Sequence, residues 1–190
     1  MKKSLRRFPV PTPDSLAQAA LSYLARYAAS EGALRRALQN RLRHAALTHS
    51  DFAHDAALQK TLHNAIETII EKHRKSGVLN DAAYATAKAG SLRREGRSRR
   101  YIQQALGLKG VHANIAKAAL KVADQDDADP AEAEIKAARA FARRRRLGFF
   151  RAGASDEERQ RKDLGALARA GFSFDIARKV LGAKVQDENT

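Results

Sequence analysis

The side chains of this sequence best suited to chemistry are its arginines and lysines, which bind phosphate and carboxylate groups. The 190 residues carry a formal net charge of +15 at pH 7. Between residues 88 and 121 one acid, Glu95, stands among nine basic residues, which are Lys88, Arg93, Arg94, Arg97, Arg99, Arg100, Lys109, Lys117 and Lys121. A second cluster is the run Arg143, Arg144, Arg145 and Arg146. Clustered positive charges repel one another unless an anionic partner neutralises them, which favours a binding surface. The simpler alternative is that these residues form a helix face that only contacts solvent.

We therefore predict a surface that binds a nucleic acid or an acidic protein. We assign to it, as partner-binding or phosphate-binding residues, Arg93, Arg94, Arg97, Arg99, Arg100, Lys109, Arg143, Arg144, Arg145 and Arg146. Because four consecutive residues wrap around a helix, at most two or three of the last four can face one partner. Basic side chains also suit the last turn of a helix on electrostatic grounds alone.

The sequence offers little for catalysis or for metal binding. It lacks cysteine, and it contains no phosphate-binding loop, dinucleotide fingerprint, zinc-protease motif or nucleophile elbow. The acidic run Asp124–Asp129 lacks the glycine and the closing glutamate of a calcium loop, so we read it as a solvated linker that caps the next helix. His44, His49 and His54 recur every five residues, which does not place them on one helix face. We expect no enzyme, no metal and no cofactor.

An internal repeat positions the basic residues. Its three copies share the order Leu, Arg, Ser and two apolar residues at identical offsets: Leu24, Arg26, Ser30, Leu34 and Leu38; Leu92, Arg94, Ser98, Ile102 and Leu106; and Leu167, Arg169, Ser173, Ala177 and Leu181. The pattern predicts a helix that ends near the arginine and a second helix that the serine caps. Asp81 and Asp156 stand eleven residues before the leucine in two copies, and each suits a helix start.

The composition and the apolar spacing predict an all-α chain of about nine helices. The predicted helices span 14–28, 31–45, 54–75, 81–95, 98–106, 112–122, 131–147, 156–170 and 174–182. A basic tail over 1–13 and a polar tail over 184–190 flank three-helix repeats at 14–76, 77–123 and 124–183, the last after an acidic linker. Stacked repeats of this kind form an elongated, curved array, which we expect to be right-handed.

Smaller features complete the pattern. Thr48–Asp51 reads as a polar break, and the loop 148–153 carries Phe149 and Phe150, which we expect to fill a core. We expect the tyrosines Tyr27, Tyr84 and Tyr101 to pack between helices rather than to stack on bases. No apolar run approaches the roughly 20 residues of a membrane span, and the basic N-terminus lacks an apolar signal region. We therefore expect a cytoplasmic protein with no membrane contact.

The assembled motifs resemble the RecX family of bacterial regulators of the RecA recombinase. The resemblance covers about residues 14–182 and is most specific in the central block. Its signatures are Gly77–Ala85 (GVLNDAAYA), the serine-capped pattern of Ser98, Ile102 and Leu106, then Lys109-Gly110-Val111 followed by Ile115 and Ala119-Leu120, and Leu167–Leu181 near the C-terminus. The segment 44–56, the acidic linker and the Phe149-Phe150 loop depart from the family pattern.

The resemblance implies three-helix repeats, no catalysis and binding along the groove of the RecA–single-stranded DNA filament. It implies inhibition of filament growth, ATPase, strand exchange and coprotease activity, and hence a place in DNA repair by homologous recombination and in the SOS response. We expect a monomer that binds single-stranded DNA weakly and without sequence preference. Two alternatives stay open: a helix-turn-helix-like DNA-binding regulator that reads DNA through Ser98–Gln104, and a scaffold for another acidic protein.

Overall fold

The described part of the chain is all-α, as predicted. A computed structural model describes residues 9–127, 129–151 and 157–182, and these ranges contain no β-strand. The helices are α1 (Pro13–Leu24), α2 (Glu31–Ala46), α3 (Ser50–His54), α4 (Ala56–Lys75), α5 (Asp81–Arg94), α6 (Arg99–Leu108), α7 (Ala113–Ala123), α8 (Pro130–Arg145), α9 (Glu157–Arg169) and α10 (Phe174–Gly182), with a 3₁₀ turn at Gly148–Phe150. All nine predicted helices are present among the described residues, which contain ten α-helices and therefore one that was not predicted.

The additional helix is α3, which lies where the sequence predicted a polar break. His49 has extended backbone before it, and Phe52 at its centre is only 4% exposed. Phe52 packs into the same core as residues of α1, α2 and α4. One buried aromatic residue therefore holds a helix that is too short to show an apolar period in the sequence.

The chain divides into two compact units, each with its own core. The first unit comprises the described residues up to Tyr84 together with Lys109–Val111. Its core is built from residues four apart on facing helices, among them Leu34 and Leu38 of α2 and Leu62 and Ile66 of α4. Each fully buried leucine or isoleucine contributes about 1.5–3 kcal/mol through apolar burial, so these faces hold the helices together.

The second unit comprises Ala85–Leu108 and the described residues from His112 onward. Here α6 packs against α7, and α8 packs against α9 and α10. The rings of Phe141 in α8 and Phe172 before α10 lie 5.9 Å apart in a core that also contains Leu167 and Val180. Every residue predicted to bind a partner except Lys109 belongs to this unit.

The serine caps of the repeat are confirmed. The hydroxyl oxygen of Ser30 accepts a hydrogen bond from the Ala33 amide at 3.1 Å, and the corresponding oxygens of Ser98 and Ser173 accept from the amides three residues ahead at 3.2 and 3.3 Å. The predicted acid at the start of α5 is Asp81, which lies in its first turn. Its carboxylate also accepts from the Glu31 amide at the start of α2, at 2.8 Å.

The two phenylalanines of the loop differ from each other. Phe150 packs against the core of α8, α9 and α10, whereas Phe149 is 49% exposed. In a 3₁₀ turn successive side chains point about 120° apart, so only one of the pair can face the core. The prediction that both fill a core is therefore wrong for Phe149. Residues 1–8 of the basic tail, Asp156 and the polar tail at 184–190 lie outside the described residues.

Candidate basic interface

The turn between α5 and α6 positions most of the predicted binding residues. α5 ends at Arg94, and Gly96, two residues later, has a left-handed φ of 69°. The Arg97 amide donates to the Leu92 carbonyl at 3.0 Å and so closes the helix end. A Cβ at Gly96 would lie 2.9 Å from backbone atoms of Ala137 and Phe141 in α8. The turn is thus fixed by its own hydrogen bonds and by close contact with α8.

Arg93, in the last turn of α5, is buried with only 9% of its surface exposed. Its Nε and Nη2 donate to the two carboxylate oxygens of Asp124 at 2.7 and 3.0 Å, and its Nη1 donates to Glu134 at 2.6 Å. Burial alone lowers the pKa of Arg93, but the hydrogen bonds to Asp124 and Glu134 outweigh it, so the pKa is raised. The guanidinium is charged and enclosed, and it is not offered to a partner as the sequence suggested.

Arg99 joins the same cluster from the start of α6. Its backbone amide donates to both carboxylate oxygens of Glu134 at 3.1 Å, and its Nη2 donates to Asp124 at 3.1 Å. We call Arg93, Arg99, Asp124 and Glu134 the buried ion cluster. Asp124 is 7% exposed, so the expectation of a solvated linker is wrong at this residue. The predicted cap is confirmed at Asp129, which accepts from the Glu132 amide at 2.8 Å.

The remaining residues of the first cluster are exposed, except Arg97, which is half-buried and lies 3.7 Å from the Glu95 carboxylate. Arg94, Arg100 and Lys109 are exposed, and Lys109 belongs to the first compact unit. The Arg97 guanidinium lies over the Tyr101 ring, 4.7 Å from its centroid. Tyr101 is 38% exposed and Tyr27 is 55% exposed, so the expectation that these tyrosines pack between helices is wrong. Tyr84 is half-buried, and burial raises its pKa.

Tyr101 also lines a polar pocket of about 340 Å³ between α6 and the end of α9. We call it the Tyr101 pocket; its lining residues are Arg100, Tyr101, Gln104, Ala168, Arg169, Ala170 and Gly171. The two sides meet closely because the Ser98 hydroxyl donates to the Ala170 carbonyl at 2.6 Å. A Cβ at Gly171, which has a φ of 92°, would lie 2.6 Å from that hydroxyl oxygen.

Sequence reasoning missed Arg169 and Gln104 as members of this site. Arg169 is exposed. It follows Arg100 by 69 residues, so no local sequence pattern relates the two. A signal did exist, because Arg169 occupies the same place in its repeat as Arg94, four residues before the serine. Gln104 lies one turn beyond Arg100 on α6 and therefore shares its face.

A second, larger pocket of about 540 Å³ lies beside the buried ion cluster. Arg99, Gln103, Lys117 and Lys121 line it together with Asp124, Asp127 and Asp129. Lys117 and Lys121 are exposed and lie one turn apart on α7. Because acids and bases face one another here, this pocket does not present a surface of a single charge sign.

The four consecutive arginines lie at the end of α8, and all are exposed. The Arg143 guanidinium lies 5.5 Å from the Phe150 ring centroid, and that of Arg145 lies 5.7 Å from the Phe141 centroid. Arg146 is the C-cap, with a left-handed φ of 54°. Two of the four side chains are therefore oriented by aromatic rings, and a third belongs to a strained helix end.

The described residues contain no group of three or more histidines, cysteines, aspartates or glutamates that could hold a metal ion. None of the helices in the described ranges is long and apolar enough to cross a membrane. The described residues of the second unit do place exposed arginines and lysines beside two open pockets, and these residues form the candidate site.

Comparison with known proteins agrees with the repeat and with the fold. Residues 80–120, which contain α5, α6 and most of α7, match the family model described as RecX, second three-helix domain. The chain is 45% identical to the regulatory protein RecX of Myxococcus xanthus over 90% of this chain and 86% of that protein, and 38% identical to the regulatory protein RecX of Agrobacterium fabrum over 57% and 54%. The crystal structure of RecX from Lactobacillus salivarius shares the fold, with a TM-score of 0.61 at 20% identity, over 90% of this chain and 94% of that one. The helical repeat, the basic surface and a 45% identity that extends over nearly the whole chain have one explanation: this chain belongs to the RecX family.

Proposed function

We propose that this chain regulates the RecA recombinase, mainly as an inhibitor. In this proposal it binds the RecA–single-stranded DNA filament and limits filament growth, ATPase, strand exchange and coprotease activity. The observation that carries the proposal is the 45% identity to a RecX regulatory protein over 90% of the chain. The exposed basic residues of the second unit support it, because a nucleoprotein filament presents phosphate and acidic protein surface.

The binding residues in this proposal are the exposed cations. They are Arg94, Arg100, Lys109, Lys117, Lys121, Arg169 and the run Arg143–Arg146, to which the proposal adds the half-buried Arg97. Arg93 is left out because its guanidinium is enclosed by carboxylates, and Arg99 is left out because Asp124 pairs with it. Contacts distributed over three repeats, at 14–76, 77–123 and 124–183, would reach several recombinase protomers and gain avidity. The protein acts as a monomer in the cytoplasm, with no catalysis, metal or cofactor of its own.

The test is the single-stranded-DNA-dependent ATPase of a bacterial RecA, titrated with this protein at fixed salt. Inhibition well below one molecule per recombinase protomer supports filament binding with blocked growth. Inhibition that appears only when the protein coats the DNA, and that extra DNA relieves, indicates simple competition for phosphates. No inhibition at any ratio contradicts the proposal.

Charge reversals locate the surface. The simplest choice from the sequence, Arg97, Arg99 and Arg100 to Glu, would place a carboxylate beside Asp124 and Glu134 and so disturb the fold at Arg99. Reversal of Arg94, Arg100 and Arg169 avoids the buried ion cluster and should weaken inhibition strongly. The matched control reverses Arg41, Lys60 and Lys72, which are exposed residues of α2 and α4. The two variants have the same net charge, so an equal loss in both would refute this choice of surface.

One observation favours a second candidate, a DNA-binding regulator without a recombinase partner. Helix α6 follows a serine-capped turn and exposes Arg100, Tyr101 and Gln104 on its surface, as a recognition helix would. Such a protein should discriminate strongly between DNA sequences and should leave RecA activity unchanged. A filament regulator should bind naked DNA without sequence preference and with strong salt dependence.

A further inference from the structure

We propose that the Tyr101 pocket binds one unstacked nucleotide of a single-stranded nucleic acid. Its walls supply the three chemistries that a nucleotide needs. Arg100 and Arg169 offer guanidinium groups for a phosphate, Tyr101 offers an aromatic surface for a base, and the Gln104 amide can both donate to and accept from a base edge. The volume of about 340 Å³ lies at the lower end of the range for small-ligand pockets, about 300–1,000 Å³.

The stacking surface is held in place before any ligand arrives. The Arg97 guanidinium covers the Tyr101 ring at 4.7 Å from the centroid, and Arg97 is not among the residues that line the pocket. The arginine therefore supports the ring from outside the pocket, and Tyr101 as a whole residue is 38% exposed. The neighbouring Ile102 is fully buried, which fixes the helix that carries the ring.

The opposite wall is equally fixed. The Ser98 hydroxyl holds the Ala170 carbonyl at 2.6 Å, and the glycine at 171 permits the close approach that this bond requires. Arg169, next to this contact, is exposed, as is Arg100 on α6. No carboxylate of the described residues forms an ion pair with either guanidinium, so both are available for a phosphate.

These features select a single strand over a duplex. In a duplex both faces of each base are stacked, so a pocket with an aromatic wall can accept only a base that has left the stack. The inference rests on the proposed function, because that function brings this surface to a filament that contains single-stranded DNA. The exposed charges by themselves would contact only phosphates. The Tyr101 pocket would add a direct contact with a base.

The experiment measures the affinity of the full chain for a labelled oligothymidylate and for an abasic oligonucleotide of the same length. The two probes carry the same phosphates and differ only in their bases. Loss of one base–aromatic stack should weaken binding about 5- to 150-fold, so the abasic probe should bind more weakly by that factor. Equal affinity for the two probes, or no binding of either, would overturn the proposal.

Variants assign the base contact to the pocket. Tyr101→Ala should lower oligothymidylate affinity to that of the abasic probe without changing abasic binding, and Tyr101→Phe should retain it. The matched control is Tyr27→Ala, because Arg26 lies 5.8 Å from the Tyr27 centroid in a similar pair that lines neither pocket. If Tyr101→Ala loses helicity, Gln104→Ala takes its place with a smaller expected loss. Wild-type affinity in a folded Tyr101→Ala protein would overturn the proposal.

The assay contains no recombinase, so its outcome is separate from that of the ATPase titration. If binding does not depend on the bases, the proposal for the Tyr101 pocket is refuted, and the proposed regulation of RecA is still tested by the ATPase titration. If the ATPase is not inhibited, the proposed regulation of RecA is refuted, and the measured preference for bases still stands.

Discussion

The buried ion cluster predicts that Arg93→Ala destabilises the protein severely, although Arg93 stands in a run of basic residues that looks like surface. Alanine would leave the carboxylates of Asp124 and Glu134 buried, at 7% and 9% exposure, without the cation that both contact. Removal of one member of a buried ion pair costs about 3–5 kcal/mol, mainly through the charge left uncompensated. Arg93 also donates to the Arg97 carbonyl at 3.0 Å, so the α5–α6 turn loses a bond as well.

Urea unfolding followed by far-UV circular dichroism measures this effect, because the described chain is all-α. With a slope of about 2 kcal/mol per molar urea, a loss of 3–5 kcal/mol lowers the unfolding midpoint by roughly 1.5–2.5 M. The matched control is Arg94→Ala, the adjacent residue, which has the same chemistry but an exposed side chain. Its free energy of unfolding should change by less than about 0.5 kcal/mol.

A compensated variant separates the lost charge from the lost packing. Arg93→Met combined with Asp124→Asn and Glu134→Gln removes all three charges and keeps the side chains close to their original size. It should be more stable than Arg93→Ala, because no uncompensated carboxylate remains buried. Equal unfolding midpoints for Arg93→Ala and Arg94→Ala would refute the reasoning, since they would show that the cluster contributes no more than an exposed charge.

Four further substitutions test the helix ends and the surface charges. Arg146→Gly should raise the free energy of unfolding by about 1 kcal/mol, because glycine relieves the left-handed φ of 54°; a lower melting temperature would contradict this. Gly96→Ala should be strongly destabilising, since its Cβ would lie 2.9 Å from backbone atoms of α8, whereas Gly107→Ala, with open space in helix α6, should stabilise by about 0.5–1 kcal/mol in the same urea assay. The hydrogen bond from Arg35 lowers the pKa of Glu67, so the stability that Glu67 contributes is present above the ordinary glutamate pKa of 4.5 and is lost as the pH falls through the lowered value. Glu67→Gln should therefore lower the free energy of unfolding by less than about 1 kcal/mol at pH 7, because Arg35 and Glu67 are both partly exposed. In acid, where Glu67 is protonated, the substitution should leave the free energy of unfolding unchanged. A loss of stability that persists in acid would contradict the role given to this ion pair.

The parts of the fold that were predictable from the sequence are those that local chemistry determines. Ser30 and Ser98 cap helices because each serine needs only the backbone amide three residues ahead, and that relation is visible in the chain. The same holds for the apolar faces that repeat every four residues. Helix α3 escaped prediction because its one anchor, Phe52, gains its role from a core assembled by other helices.

The burial of Arg93 depends on residues far away in the chain. Its partners Asp124 and Glu134 follow it by 31 and 41 residues, and no spacing rule connects them. Helical periodicity does carry a partial signal, because Ala85, Ala89, Leu92 and Arg93 continue one buried face of α5. The charge composition instead predicted that Arg93 is exposed, since a run of basic residues usually lies in solvent.

The acidic residues after α7 lower the charge repulsion within this basic unit. The sequence has nine basic residues and one acidic residue between 88 and 121. In the folded protein, however, Asp124 and Glu134 neutralise Arg93, and Asp124 also pairs with Arg99. The repulsion that argued for a partner is therefore smaller than the sequence suggested. It is confined to side chains that no carboxylate of the described residues engages, such as Arg94 and Arg100. Because these two side chains are exposed and form no ion pair within the described residues, we expect substitutions there to separate loss of function from loss of structure.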